Sequence, residues 1–161
     1  MKVRPSALAC RARAAAACRG ARPGEDYISD WVGFCTPPAG KLEASLCSPA
    51  GVGASPGLRG RVRLCSTSLV FDPDELRLPI LKFPFAKVES LEREPGGGGD
   101  GGTACLVASA WVRMKENGVD APYVHDRAGP APWRFSLAFA KLAALLVRLH
   151  AACIHARRGA P

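Results

Sequence analysis

The chain has 161 residues, a formal net charge of +8 and a hydrophobic fraction of 48%. That length accommodates one domain with tails, and the hydrophobic content excludes a chain that is disordered throughout. No stretch of about 18 or more apolar residues occurs, so the sequence predicts no transmembrane helix.

Positive charge is concentrated at the two ends of the chain. Residues 1–24 contain six basic residues and residues 134–161 contain five, and neither segment contains an acid. We expect residues 1–24 to be a basic disordered tail, although their Arg- and Ala-rich composition is also typical of a transit peptide. Basic ends attract anionic surfaces such as lipid headgroups or nucleic acid. Arg- and Ala-rich codon usage would produce the same pattern.

The first elements are predicted between residues 25 and 85. Residues 25–35 are aromatic and apolar, and they predict a short strand or an irregular packed segment. Prolines and glycines predict a flexible loop over residues 36–58. Polar and apolar residues then alternate over Arg61–Cys65, the period of a half-buried strand. A Ser-Thr-Ser turn connects this strand to Leu69–Phe71 as a hairpin, and Ile80–Phe83 is predicted as a third strand that lies between prolines.

The second half of the chain predicts further strands and one helix. The step of three residues over Phe85–Leu91 fits either a helical turn or a continued strand, and the glycines of residues 95–102 predict a flexible loop. Cys105–Met114, Tyr123–Val124 and Trp133–Leu137 are predicted strands. A helix is predicted from about Phe139 to Arg157, because its apolar residues recur every three or four positions. That stripe consists of Leu142, Leu145, Leu146, Leu149 and Cys153.

Together these elements predict an α+β, mainly β, fold. A small antiparallel barrel or sandwich capped by one C-terminal amphipathic helix would bury both the sheet face and the helix stripe. This arrangement is the pleckstrin-homology-like (PH-like) architecture. We therefore expect one domain over residues 25–158, with residues 159–161 as a short tail.

No catalytic or metal-binding constellation is present in the sequence. The seven cysteines (residues 10, 18, 35, 47, 65, 105 and 153) form no C-x-x-C pair, and we interpret them as small hydrophobic residues in a reducing compartment. His150, Cys153 and His155 do not share one helical face, and His125–Asp126 lacks a nucleophile in a suitable turn. The glycine run lacks the Lys-Ser/Thr ending of a phosphate-binding loop. We expect no enzyme activity, no metal and no cofactor.

Four collinear segments carry a family resemblance. They are Gly60–Asp74 (GRVRLCSTSLVFDPD), Pro79–Pro84 (PILKFP), Val112–Tyr123 and Leu145–Cys153, with an acidic-aromatic segment at residues 25–31 ahead of them. These segments resemble the GRAM/PH-like domain near the N-terminus of BEACH proteins of the FAN type (factor associated with neutral sphingomyelinase activation). Relative to that family, residues 95–102 are an insertion.

The resemblance implies a cytoplasmic, non-catalytic adaptor with a membrane-associated or scaffold role in vesicle traffic or signalling. In PH-like folds, bases near the first hairpin can hold phosphoinositide headgroups through phosphate contacts, and the candidates here are Arg59, Arg61, Arg63, Lys82 and Lys87. The alternative for these bases is a solvated sheet face. Expected partners are anionic membrane lipids, with peripheral membrane localisation, or BEACH domains, PH-like domains or other proteins.

One further alternative for the function stays open. The chain could be a purely intramolecular or protein-interaction domain without lipid binding, from a fragment or a truncated gene model. The aromatic residues are spread along the chain and not interleaved with bases on one face, so we expect them in the core and expect no nucleic-acid partner.

Overall fold

The computed structural model describes residues 25–38, 57–94, 101–117, 121–127 and 129–158. Within these ranges the chain forms nine strands, two short 3-10 helices (Phe85–Lys87 and Lys115–Asn117) and one α-helix, α1 (Phe139–Arg158). The strands are β1 (Tyr27–Thr36), β2 (Leu58–Cys65), β3 (Ser68–Pro73), β4 (Ile80–Pro84), β5 (Val88–Glu94), β6 (Gly101–Ala108), β7 (Trp111–Arg113), β8 (Val124–His125) and β9 (Ala131–Ala138).

All nine described strands belong to one antiparallel sheet in the order β5-β6-β9-β1-β2-β3-β4-β7-β8. The sheet curls into a half-barrel, and α1 packs against it. This arrangement confirms the predicted mainly β, PH-like fold with one C-terminal helix. No helix in the described part of the chain is long and apolar enough to cross a membrane.

The hairpin of β2 and β3 has the predicted alternation. Val62 pairs with Phe71 and Leu64 pairs with Leu69, and these four side chains are buried. Arg61 lies opposite Asp72 on the other face. We call the face that points to the core the inner face, and the face that carries Arg61 the outer face.

An aromatic cluster occupies the core between the two halves of the sheet. The ring of Phe83 packs edge-on against Trp133 at 5.2 Å and against Phe135 at 5.7 Å, and Phe71 packs against Phe135 at 6.2 Å between centroids. This edge-to-face geometry is the one that aromatic quadrupoles favour. The prediction that the aromatic residues form the core is confirmed for these four, whereas Trp31 and Trp111 are only partly buried.

Two expectations for residues 95–114 were wrong. Gly101 and Gly102 are the first residues of β6, not the end of a loop, and a Cβ on Gly102 would lie 2.4 Å from Leu142 Cδ2. Glycine at this position therefore lets the helix pack directly on the strand. The predicted strand Cys105–Met114 is two strands, because β6 pairs with β5 and β9 whereas β7 pairs with β4 at the other end of the sheet.

Other boundaries differ by a few residues or lie outside the described ranges. Of the two alternatives for residues 25–35, the strand is the correct one, although β1 begins at Tyr27 and its register shifts between Tyr27 and Ser29. Phe85–Leu91 contains both a 3-10 turn and the start of β5. Thr36 and Leu58, which were expected in a loop, belong to β1 and β2. The tails predicted at 1–24 and 159–161 and most of the loop at 36–58 lie outside the described residues.

The apolar stripe of α1 generates a stability prediction. Leu149 is 1% exposed in the core, whereas Val147, two residues earlier on the same helix, is 72% exposed. Leu149→Ala is expected to lower the free energy of unfolding by about 2–5 kcal/mol through loss of buried surface and cavity formation. Chemical denaturation followed by circular dichroism measures this, with Val147→Ala as the matched control at about 0.5 kcal/mol or less. Equal effects of the two substitutions would contradict the helix orientation.

Candidate functional site

The carboxylate of Glu25 connects the segment before β1 to the β2–β3 turn and to β4. Thr67 Oγ1 and Ser68 Oγ donate hydrogen bonds to Glu25 Oε1 at 2.7 and 2.5 Å, and Lys82 Nζ donates to Oε2 at 2.5 Å. The side chain of Glu25 is 2% exposed and that of Lys82 is 9% exposed. Both charges are therefore buried as a pair, and the two hydroxyl groups satisfy the carboxylate with further hydrogen bonds. A buried ion pair is tolerated when additional hydrogen bonds of this kind are present.

Backbone hydrogen bonds hold the same turn in place. Ser66 N donates to Asp26 O at 2.8 Å, and Asp26 N donates to Ser66 Oγ at 2.9 Å. Phe85 N donates to Thr67 O at 3.0 Å. The hydroxyl groups that bind Glu25 are thus fixed by backbone contacts on both sides of the turn.

An aromatic ring covers this ion pair from the outer side of the sheet. The ring centroid of Tyr123 lies 5.5 Å from Lys82 Nζ and 4.8 Å from Arg113 Cζ, so one ring makes two cation–π contacts. Burial raises the pKa of the Tyr123 hydroxyl above its ordinary value. We call Glu25, Thr67, Ser68, Lys82 and Tyr123 the Glu25 cluster.

A cavity of about 580 Å³ opens beside the Glu25 cluster. The β2–β3 turn, the end of β4, the first 3-10 helix and the last turns of α1 surround it. Its lining combines apolar walls with a few polar groups, as ligand pockets commonly do. The lining residues are Glu25, Ser66, Thr67, Lys82, Pro84, Ala86, Lys87, Trp111, Tyr123, Ala152, His155 and Ala156.

The three arginines predicted as lipid ligands lie together on the outer face of β2, and each contacts a carboxylate. Arg59 and Arg61 are exposed, whereas Arg63 is mostly covered. Lys115 also binds one of these carboxylates and donates to the carbonyl oxygen of Pro73. The pairs are Arg59–Asp74 at 3.5 Å, Arg61–Asp30 at 3.2 Å, Arg63–Asp72 at 3.0 Å and Lys115–Asp72 at 3.0 Å.

These seven charged residues form the outer ion-pair patch, in which four bases face three acids. The two lysines of the predicted set lie elsewhere. Lys82 belongs to the Glu25 cluster, and Lys87 is exposed at the rim of the cavity. The structure therefore brings together Arg59, Arg61 and Arg63 in one place and Lys82 and Lys87 in another.

Sequence reasoning did not identify Glu25 and Tyr123 as members of a site. Both residues lie in the segments that carry the family resemblance, as do the Ser-Thr-Ser turn and Lys82. This shared location was the one indication in the sequence that they could belong to a common site. No periodicity relates these residues, since Glu25 and Lys82 are 57 positions apart.

Within the described ranges, the histidines and cysteines do not assemble into a reactive site. Cys153 is buried in the core, whereas His150 and His155 are exposed and line different cavities. His125 packs against the ring of Trp111 at 5.2 Å. Among the described residues, no group of three or more His, Cys, Asp or Glu side chains could hold a metal ion.

Removal of the Glu25 carboxylate is expected to destabilise the domain. Glu25→Gln leaves the ammonium of Lys82 buried without a counter-charge, and breaking a buried pair in this way costs about 3–5 kcal/mol. Urea denaturation at neutral pH measures the loss. The matched control is Glu75→Gln, since Glu75 is exposed between β3 and β4, and its effect is expected to be about 0.5 kcal/mol or less.

The same variant has a characteristic pH dependence. Burial raises the pKa of Glu25, but hydrogen bonds from Lys82, Ser68 and Thr67 outweigh it, so the pKa lies below the ordinary value of 4.5. The stability from the ionised carboxylate is complete above that ordinary value and is lost as the pH falls through the lower folded value. The stability difference between the native chain and Glu25→Gln should therefore shrink in acid. A difference that stays constant down to the folded pKa and below it would contradict the ion pair.

Comparison with protein families agrees with the PH-like fold. The family model described as "FAN protein N-terminal PH domain" matches residues 22–157, which include every described strand and nearly all of α1. The match contains both the Glu25 cluster and the outer ion-pair patch. The chain therefore belongs to the family of FAN protein N-terminal PH domains.

Proposed function

We propose that this PH domain is a non-catalytic adaptor of a FAN-like BEACH protein with a scaffold role in vesicle traffic or signalling, and that it acts through protein contacts. The observation that carries this proposal is the outer ion-pair patch. The bases of β2 that would bind a phosphoinositide already face carboxylates. The second candidate function, binding of anionic lipid, draws on the bases at the chain ends and on Lys87.

Charge balance is the physical argument against a headgroup site on β2. Phosphate recognition needs cationic groups that converge without competing acids. In the outer ion-pair patch the carboxylates of Asp30, Asp72 and Asp74 repel an approaching phosphate and cancel most of the attraction. An exposed ion pair is individually weak, so it is the low net charge of the patch, and not the strength of its pairs, that disfavours phosphate binding.

Apolar side chains beside the patch support docking of a protein. Val32 and Phe34 are exposed on β1, and they lie on one face because they are two residues apart. Ile28 is also exposed, at the point where the register of β1 shifts. Val32 lies opposite Arg61 and Phe34 opposite Arg59 in the sheet. Contiguous exposed apolar side chains bordered by charged groups are typical of protein interaction surfaces.

The first test measures vesicle binding. We expect the chain to bind anionic vesicles without preference for phosphatidylinositol bisphosphate over phosphatidylserine at matched charge. Arg59→Glu and Arg61→Glu, both at exposed positions, should each change the partition coefficient by less than about twofold. A base that contacts the lipid surface would instead contribute about 1 kcal/mol to the free energy of membrane binding. Co-sedimentation with vesicles measures this, and Lys87→Glu is the comparison variant. A headgroup preference that Arg61→Glu abolishes would support the lipid function and overturn the proposal.

The second test measures protein docking. The purified BEACH domain of a FAN-type protein is expected to bind the chain, and Val32→Asp should weaken binding by at least about tenfold, or about 1.4 kcal/mol. Isothermal titration calorimetry measures the affinity. Leu76→Asp is the matched control, since Leu76 is an exposed aliphatic residue between β3 and β4. Absence of binding, or equal losses for both variants, would contradict docking through β1.

A further inference from the structure

The cavity beside the Glu25 cluster has an extensive apolar wall. Its volume of about 580 Å³ falls within the range of about 300–1,000 Å³ that is usual for sites of small molecules. Small and aromatic side chains from separate parts of the fold form the wall. They are Pro84, Ala86, Trp111, Tyr123, Ala152 and Ala156. Methyl groups and aromatic rings in such a wall favour a ligand with an apolar body.

A buried ammonium group borders the same cavity. Lys82 is a lining residue, and its side chain is 9% exposed. An ammonium group has three N–H donors. Among the described residues, its contacts are one hydrogen bond to Glu25 Oε2 and the cation–π contact with the ring of Tyr123 at 5.5 Å. Lys82 therefore keeps donor capacity for an acceptor in the cavity, and burial makes a donor without an acceptor unfavourable.

The positive charge of this ammonium is already balanced. Glu25 Oε2 lies 2.5 Å from Lys82 Nζ, and the Glu25 side chain is 2% exposed. A ligand carboxylate or phosphate would bring a second negative charge next to this buried carboxylate and would lose its own hydration. The other basic residues of the lining, Lys87 and His155, are exposed, where salt screens their charge. The buried part of the cavity thus favours a neutral acceptor over an anion.

We propose that this cavity binds a neutral acyl compound, whose carbonyl oxygen belongs to an amide or an ester. The carbonyl oxygen accepts a hydrogen bond from Lys82 Nζ, which keeps its ion pair with Glu25, and the acyl chain packs against Ala152 and Ala156. A free amide and the acyl ester of an uncharged membrane lipid share this chemistry. The site is separate from the docking surface on β1 and does not depend on the proposed adaptor function.

Matched amphiphiles test the choice of ligand without any protein variant. Nuclear magnetic resonance of the isotope-labelled full chain follows the ammonium of Lys82 during titration with octanamide and with octanoate, which have equal chain length and differ in charge. Octanamide is expected to give saturable shifts, and octanoate should bind at least about tenfold more weakly. Hexanamide should also bind at least about tenfold more weakly than octanamide, because each buried methylene contributes about fourfold in affinity.

A variant that fills the cavity tests the location of the site. Ala156→Leu adds a branched alkyl group to the wall and should weaken octanamide binding at least about tenfold. The matched control is Ala144→Leu, at an exposed position of α1 outside the cavity, with an expected change of less than about twofold. Circular dichroism verifies that both variants fold. If Ala156→Leu does not fold, the comparison of octanamide, octanoate and hexanamide decides the proposal.

Vesicles distinguish the two sources of the ligand. Co-sedimentation of the chain with phosphatidylcholine vesicles that contain monooleoylglycerol, reversed by octanamide, would assign the site to a lipid ester. Binding of octanamide in solution without such co-sedimentation would assign it to a free acyl compound, and either result supports the proposal.

Three results would overturn the proposal of a neutral acyl ligand. They are octanoate binding as tightly as octanamide, the absence of saturable shifts at Lys82, and an affinity that is unchanged in folded Ala156→Leu. Val32→Asp is expected to leave octanamide affinity unchanged, because Val32 is not a lining residue of the cavity. Failure of this site and failure of docking through β1 are therefore distinguishable.

Discussion

The buried ion pair between Glu25 and Lys82 is the interaction on which the outer face of the sheet near the β2–β3 turn depends. It joins the start of the first strand to the β2–β3 turn and to β4, with hydroxyl groups and a tyrosine ring completing the environment of both charges. Two charges that are removed from water are tolerated only when each is satisfied from several sides. The segments that carry the family resemblance supply those groups from distant parts of the sequence.

The same principle extends to the arginines of β2. Each of them lies within 3.5 Å of a carboxylate, and Lys115 adds a second contact to Asp72 and contacts the end of β3. The outer side of the hairpin is thus a network of opposite charges that connects β1, β2 and β3. The bases that the sequence marks as candidate lipid ligands on β2 therefore each contact a carboxylate in the fold.

Local pattern predicted the elements whose structure is decided locally. The alternation over Arg61–Cys65 gave the correct inner and outer faces of β2, and the stripe from Leu142 to Cys153 gave the buried side of the helix. Gly102 was misassigned because its place in β6 depends on contact with Leu142, a residue 40 positions away. The pair of Glu25 with Lys82 was not predicted for the same reason, since no period or spacing connects residues that only tertiary structure brings together.

We propose that the β2 arginines and Lys82 are structural partners and not headgroup ligands. The most direct measurement is a nuclear magnetic resonance titration of isotope-labelled protein with a soluble inositol trisphosphate, observing the Nε–H signals of Arg59, Arg61 and Arg63 and the ammonium of Lys82. The account predicts small shifts that do not saturate and that disappear with added salt. Saturable shifts centred on these side chains, with loss of their contacts to the carboxylates, would contradict it.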